Sequence, residues 1–458
     1  AVISDDRAAG RTGMGAVLGW KNVKAIAVCG NHDTPVHDPS ATKKWCQKWF
    51  RYLRNHPLTG NQLPRMGTAG LVSSMQMRGL LATKNYTEGR FEHFDKVNGE
   101  TLAEEYNIVN KGCLSCPIKC ARTVTVEGED VKGPELETLG LLGGGILNKD
   151  LYHILKWNKE LDDLGLDTIS ASNTLAYAME ANERGLWNNG LKFGDIEGIS
   201  KIWDDIAYRR GIGNELAEGS KRLSEKYGGK EFAMQSKGLE LAAYEPRRAV
   251  GQGLGYAVSN RGGCHLNGGY LVILEGLGLN IDAQTPHSKA DFTMMFQDLM
   301  EMISATGQCL FTSYAFFPGF LITRPNGAIA TAANKLLPHL GWAIRLMNKF
   351  PRVLAFHLPV FHHTKMMQKA VGMPMTFGKY LQTGERGFNL ERAVNVRFGV
   401  SAAKDSLPKR LTDVPQDPND PRTRVPLEQM KKIYYQARGW DKSGIPTCRT
   451  LKKLKIAR

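Results

Sequence analysis

Three cysteines, Cys113, Cys116 and Cys120, fall within eight positions of the stretch NKGCLSCPIKCART (110–123), in a chain of 458 residues with only eight cysteines. Thiolate sulfur is a soft ligand, and the spacing C-x2-C-x3-C lets one loop supply three corners of a cubic iron-sulfur cluster. Zinc is the competing reading, but zinc sites usually come as paired knuckles, and no second C-x2-C follows. Unligated structural thiols are the third. A [4Fe-4S] cluster needs a fourth thiolate, and Cys29, Cys46, Cys264, Cys309 and Cys448 are all open to that role. Acid-base groups stand elsewhere: GPELET (133–138) carries Glu135 and Glu137, and His265 follows the glycine-rich turn SNRGG by two positions. A lone histidine in an apolar stretch is usually a core residue, whereas a flexible turn before it lets backbone approach a cofactor.

These groups must be held by more than one domain, because a chain this long exceeds what one hydrophobic core serves. Its formal charge of +15 points to an anionic partner. The basic residues are scattered, with no arginine-rich arm, zinc-finger spacing or RNA-binding aromatic signature, so nucleic-acid binding is not expected. Cysteines in one tight cluster plus singles, with no signal peptide at the start, fit a reducing cytoplasm better than a disulfide scaffold. Residues 303–323 carry no charge, but Thr, Ser, Gln, two Gly and a Pro dilute them, so a buried interior segment is expected and not a membrane span. The stretch VLAFHLPVFHHT (353–364) is too short to span; His357, His362 and His363 are read as packing or surface residues, with a substrate channel, a metal site or a partner contact as alternatives.

Between about 150 and 245 the pattern is helical. Leu151, Ile154, Leu155, Leu161 and Leu164 recur at helical spacing; Gly165 stops that helix, Asp167 caps the next, and Gly185 closes it. Further helices are expected at GISKIWDDIAYRRG and GNELAEGSKRLSEKYGG, and an irregular wrap with one helix near 427–438 in the last 60 residues. At the other end, Gly13, Gly15 and Gly19 miss the dinucleotide pattern by one position, since Leu18 stands where its third glycine belongs. KAIAVCG (24–30) reads as a short β-prone run, and the chain opens in mid-motif, as if something preceded it.

Several motifs in order, GRTGMGAVLGWKNVKAIAV (10–28), GPELET, DDLGLDTIS (162–170), YEPRRAVGQGLGYAVSNRGGCHL (244–266), LERAVNVRFG (390–399) and GWDKSGIPT (439–447), resemble the tungsten-pterin aldehyde ferredoxin oxidoreductase family over nearly the whole chain. The resemblance implies a mainly α fold with some β. Residues 1–35 would close an N-terminal pterin-cradling β domain, most of which is absent from this chain. Residues 36–240 would form a helical middle domain with three cluster cysteines, and 241–458 a C-terminal helical domain with the fourth.

By the same resemblance Cys309 completes the [4Fe-4S] cluster with Cys113, Cys116 and Cys120. The metal, tungsten or molybdenum, is held by two pterins whose phosphates share a magnesium ion. Asp162, Gly165, Leu166 and Asp167 form the family's turn at one pterin, where carboxylates accept from ring N–H groups. The second copy of that turn is altered, with Ser304 in place of an aspartate and Gly307 and Gln308 replacing the usual pair. Arg11, with Gly13 and Gly15, would hold phosphate. The acid-base pair is a glutamate, Glu137 favoured over Glu135, with His265; Cys264 stands near the metal as a candidate ligand.

The implied reaction is oxidation of an aldehyde by water to a carboxylic acid. The carboxylate activates water, His265 polarises the carbonyl, and two electrons leave one at a time through the cluster to ferredoxin or an iron-sulfur partner subunit. An oligomer is expected. Acidic ferredoxins would be drawn to a +15 chain. An acyl- or aromatic-coenzyme A reductase on the same scaffold, or a non-catalytic iron-sulfur subunit, are the alternatives.

Overall fold

Asp150 and Asp167 begin the two helices on which the middle of the chain is built. In the computed structural model, which describes residues 1–4, 7–106, 108–350, 354, 357–358 and 361–456, Asp150 caps the helix Leu151–Asp163 by accepting from the His153 N–H. Leu151, Ile154, Leu155, Trp157 and Leu161 form its buried face. Gly165, at φ +68°, then turns the chain in a conformation that side chains resist. Asp167 accepts from the Ile169 and Ser170 N–H groups to start the helix Thr168–Glu183, buried over most of its surface. Gly185 ends it at φ +69°.

Against these helices lies a three-stranded antiparallel sheet of Val109–Lys111, Ala121–Val126 and Glu129–Lys132. The cysteine motif is the connection between its first two strands, with Val109 opposite Thr123 and Lys111 opposite Ala121. The N-terminus forms a two-stranded hairpin, Val2–Ser4 with Arg7–Ala9, then the helix Met14–Trp20. The architecture is mainly α with some β, as the motifs implied.

In the C-terminal half, the helix Lys289–Ala305 packs against Phe377–Arg397 and Leu427–Arg438. A Cβ on Gly384 would stand 1.8 Å from the Asp298 carbonyl oxygen, which is why this crossing carries glycine. Buried charges pin the same half: Arg392 donates to both oxygens of Asp405 at 2.9 and 2.7 Å, and Lys237 lies 2.8 Å from Asp405. One apolar cluster reaches from Leu58 to Trp440, so residues on both sides of position 240 share a core. Removing one partner of a buried charge set leaves the other stranded. Asp405→Asn, which leaves the Arg392 and Lys237 charges without a counter-ion, is therefore expected to lower stability by about 3–5 kcal/mol, read as a lower urea midpoint.

Four expectations need correction. KAIAVCG forms no strand: Ile26 and Val28 are 77% and 90% exposed, because no other described strand lies beside them to complete a ladder. The uncharged run 303–323 is not uniformly buried. It breaks into the end of Lys289–Ala305, a turn at Gly307, and the short helices Leu310–Ser313 and Gly319–Thr323, with Ser304, Gly307 and Cys309 exposed. No helix among the described residues is long and apolar enough to cross a membrane. GNELAEGSKRLSEKYGG forms two helices, Gly211–Leu216 and Gly219–Tyr227, because Gly219 adopts φ +78°. The last 60 residues add the short helices Lys409–Asp413 and Cys448–Lys453 to the one expected. Of 353–364, residues 353, 355, 356, 359 and 360 lie outside the described residues; His362 and His363 are buried among aromatic rings, with Trp49 stacked on His362.

Candidate active site

Gly133-Pro134 delivers Glu135 in extended conformation, and the helix Leu136–Leu142 begins directly after it. The two carboxylates therefore leave in different directions. Glu135 accepts from the Thr68 hydroxyl, whose oxygen in turn accepts from the Leu136 N–H at 3.0 Å. Its charge is felt by Cys120 and Arg122, on the cysteine-loop side. Glu137 points the other way: its Oε1 lies 3.1 Å from Nε2 of His265 and accepts from the Tyr244 hydroxyl at 3.2 Å.

His265 is set by a tight turn. Gly263 passes so close to strand residues Leu239 and Glu240 that a Cβ would sit 2.4 Å from the Leu239 oxygen. The Tyr270 N–H closes the loop on the His265 carbonyl at 2.9 Å. The Glu137 and His265 side chains are only 14% and 12% exposed. Burial raises the proton affinity of Glu137; burial, with the nearby Arg11 charge, brings His265 down to about 3. The imidazole is thus neutral at physiological pH, and its Nδ1 is buried without a protein partner.

Arg11 ties the N-terminal motif to this pair. Its Nε donates to Asp167 at 3.1 Å, Nη1 to the Gly263 carbonyl at 3.2 Å and Nη2 to the Glu240 carbonyl at 2.5 Å. Asp167 therefore serves both the guanidinium and the start of its own helix. Gly13, Gly15, Gly165, Leu166 and Asp167 line one cavity of about 800 Å³. Gly13 adopts φ +76°, and a Cβ on Gly15 would meet the Ala1 carbonyl oxygen at 1.8 Å. Asp162 is held 3.2 Å from Lys132, and Ser304 is exposed at the end of its helix; neither lines this cavity. Asp167→Ala removes a cap and the carboxylate partner of Arg11. It is expected to cost about 1–2 kcal/mol, measured by denaturant unfolding, and to weaken retention of whatever the cavity holds.

The cysteine loop curls through left-handed Ser115 and Lys119, at φ 58° and 50°, and the Cys116 N–H closes on the Cys113 carbonyl at 2.9 Å. Cys309 comes to it from far along the chain, at the start of Leu310–Ser313. Burial pushes the Cys120 thiol up to about 12, with Glu135, Cys309 and Cys116 adding to the shift. At the exposed Cys309 the Phe311 and Thr312 N–H groups favour the thiolate, while the nearby Cys116 and Cys113 oppose it. Four thiols thus lie within electrostatic range of one another. Among the described residues no three His, Cys, Asp or Glu side chains converge on a single metal ion. Cys264 is buried beside Arg11, its sulfur 3.5 Å from the Asn267 N–H. Cys29 and Cys448 are exposed elsewhere, and Cys46 lies in the helix Pro39–Asn55.

Sequence reasoning missed Thr68, Tyr244 and Tyr270. Tyr244 opens the motif YEPRRAVGQGLGYAVSNRGGCHL, but only the tertiary structure brings its hydroxyl to Glu137.

The family model "Aldehyde ferredoxin oxidoreductase, domains 2 & 3" matches residues 44–456. A tungsten-containing aldehyde ferredoxin oxidoreductase of Thermococcus kodakarensis is 37% identical over 460 residues, covering 97% of this chain and 69% of the relative. One from Pyrococcus furiosus is 37% identical, covering 100% and 71%. The WOR-like subunit of an aliphatic sulfonate oxidoreductase of Pyrococcus furiosus is 27% identical over 56% of this chain and 44% of that one. Among solved structures, the active site complex BamBC of benzoyl coenzyme A reductase matches with a TM-score of 0.70 at 20% identity, over 97% of this chain and 69% of that one, a likeness of fold. The chain belongs to the aldehyde ferredoxin oxidoreductase family. It is an oxidoreductase of the aldehyde ferredoxin oxidoreductase type.

Proposed function

We propose that the protein oxidises an aldehyde to a carboxylic acid at a tungsten bis-pterin and passes the electrons through a [4Fe-4S] cluster to ferredoxin or an iron-sulfur partner subunit. The observation that carries this reading is the Glu137–His265 pair, 3.1 Å apart and largely buried, with an unpartnered imidazole nitrogen. The overall change is RCHO + H2O → RCOOH + 2 H⁺ + 2 e⁻. Glu137 accepts a proton from water as it adds to the carbonyl. Against the Glu137 carboxylate His265 must present Nε2–H, which leaves Nδ1 as a bare acceptor that orients the water.

The residues present fit the cofactors. Gly13, Gly15, Gly165 and Leu166 give the 800 Å³ cavity a wall that backbone, not side chain, presents. Asp167 lines it, with Arg11 held behind that carboxylate by the Nε–Asp167 hydrogen bond. Tungstopterin, or its molybdenum counterpart, supplies a two-electron acceptor when bound, with magnesium between the pterin phosphates. Cys113, Cys116, Cys120 and Cys309 would hold the cluster as thiolates; Cys309 already has two backbone N–H groups favouring its charge. Asp162 and Ser304 would reach pterin only through small movements or backbone groups. Cys264, buried beside Arg11, is assigned a place near the metal as a candidate ligand.

The proposed division at residues 35 and 240 puts three of the cluster cysteines before the second boundary and the fourth after it. The reading includes a cytoplasmic location and an oligomeric state. The test is elemental analysis of anaerobically purified protein with pterin release by acid oxidation. Tungsten or molybdenum with roughly four iron per chain, and aldehyde-dependent reduction of a viologen, are expected. Iron without either metal or pterin overturns the catalytic reading, and activity only with coenzyme A thioesters overturns the aldehyde.

A further inference from the structure

The Glu137 carboxylate is met by a phenol, and that phenol by another. Tyr244 donates to Glu137 Oε1 at 3.2 Å, its hydroxyl lies 3.1 Å from the Tyr270 hydroxyl, and the Tyr270 ring lies against that of Tyr314. The Tyr270 and Tyr314 rings are parallel within 5°, centroids 6.1 Å apart. All three are buried, at 1%, 3% and 5% exposure. Tyr314 stands five residues beyond Cys309, within reach of its charge, at the end of the helical turn that Cys309 opens onto the surface. The line thus runs from the acid-base pair to the cluster side of the molecule.

The three phenols come from unrelated parts of the chain: an isolated bridge to Leu81, the turn after His265, and the turn after Cys309. Tyr270 is held at φ +52°, a left-handed conformation that is uncommon for a bulky residue and costs of order 1–3 kcal/mol. A packing role would be met as well by phenylalanine, without hydroxyls brought end to end. A phenol both donates and accepts, so a chain of them can take a proton at one end and release another at the other.

We propose that Tyr244, Tyr270 and Tyr314 form a proton relay that empties Glu137 toward the surface at the Cys309 turn. This rests on the reading of Glu137 as the base. Each turnover frees two protons and two electrons; the electrons go to the iron-sulfur acceptor, and a site whose Glu137 stays protonated cannot begin again. The relay returns Glu137 to its carboxylate without opening the pocket to water. It delivers the proton on the side where the electrons leave. Burial keeps all three phenols neutral well above physiological pH, as carriers and not stores of charge. Tyr244, Tyr270 and Tyr314 are positioning and transfer residues, none of them in contact with substrate.

The test is Tyr270→Phe in the metal-loaded protein, which keeps the ring and removes the middle hydroxyl. The expected result is a kcat about 10-fold lower or more with KM unchanged. The solvent deuterium isotope effect should grow, and small diffusible bases such as imidazole should restore part of the rate. Tungsten, iron and the cluster's electron paramagnetic resonance signal should stay as in the wild type. Independently of turnover, the infrared carbonyl band of protonated Glu137 should shift in Tyr244→Phe and, less, in Tyr270→Phe. Tyr314→Phe, at the outer end, should repeat the kinetic result if Tyr270→Phe fails to fold. Wild-type kcat and isotope effect in well-loaded Tyr270→Phe overturn the relay. If Glu137→Gln is inactive while Tyr270→Phe is normal, only the relay fails; if Glu137→Gln is fully active, the base assignment falls and the relay with it.

Discussion

Replacing Glu137 with glutamine is expected to lower kcat about 10²- to 10⁴-fold while the fold, tungsten and iron are retained. Glutamine has nearly the same shape and can still meet the Tyr244 hydroxyl and His265 Nε2, so the pocket has little reason to collapse. What it lacks is a site for a proton. The pH profile separates this from a packing defect. Burial raises the proton affinity of Glu137, so the wild-type rate should fall as pH drops through a value above the ordinary carboxylate range, about 4.3. Below that point the base is already protonated. His265, held down to about 3 by burial and Arg11, stays neutral across the same window and contributes no limb of its own. The residual rate of Glu137→Gln should then be flat where the wild type bends. Glu135→Gln is the internal control, since Glu135 faces Thr68 and the cysteine loop. A wild-type rate in Glu137→Gln with a collapsed rate in Glu135→Gln would reverse the assignment.

How far the sequence could be read depends on the range of the forces involved. Asp167 is a short-range statement: an Asp after a helix-ending Gly-Leu caps the next helix, and it does so through the Ile169 and Ser170 N–H groups. Gly165 at φ +68° is of the same kind. The three clustered thiols were legible because one loop carries them; Cys309 was not, because nothing within ten residues distinguishes it from Cys448. Family resemblance, not spacing, singled it out. GPELET announced two carboxylates but not which faces His265, since that depends on the helix beginning one residue after Glu135. KAIAVCG shows the opposite failure. Its composition favours a strand, yet a strand exists only as a pair, and the described residues offer it no partner. Tyr244, Tyr270 and Tyr314 carried no local signal at all, for they meet only after three distant segments have packed.

Cys309→Ser is expected to strip the cluster while leaving the acid-base pair in place. A serine hydroxyl is a hard, weakly acidic donor and a poor substitute for thiolate on iron. The substitution adds no bulk, and Cys309 sits at the first turn of a short helix where Ser is at home. Loss of folding is therefore not the expected route to failure. The protein should be purified with its iron reduced and its cluster absorbance bleached, and with pterin and tungsten retained. Two electrons from aldehyde would then be stranded at the metal, so steady turnover with a one-electron acceptor should fall to background while a single stoichiometric oxidation remains. That contrast requires both centres to be present in one molecule. Cys448→Ser, in an exposed terminal helix, should change none of these. A full cluster and full turnover in Cys309→Ser would mean that the fourth ligand lies elsewhere. Cys264, buried beside Arg11, would then be the next thiol to replace.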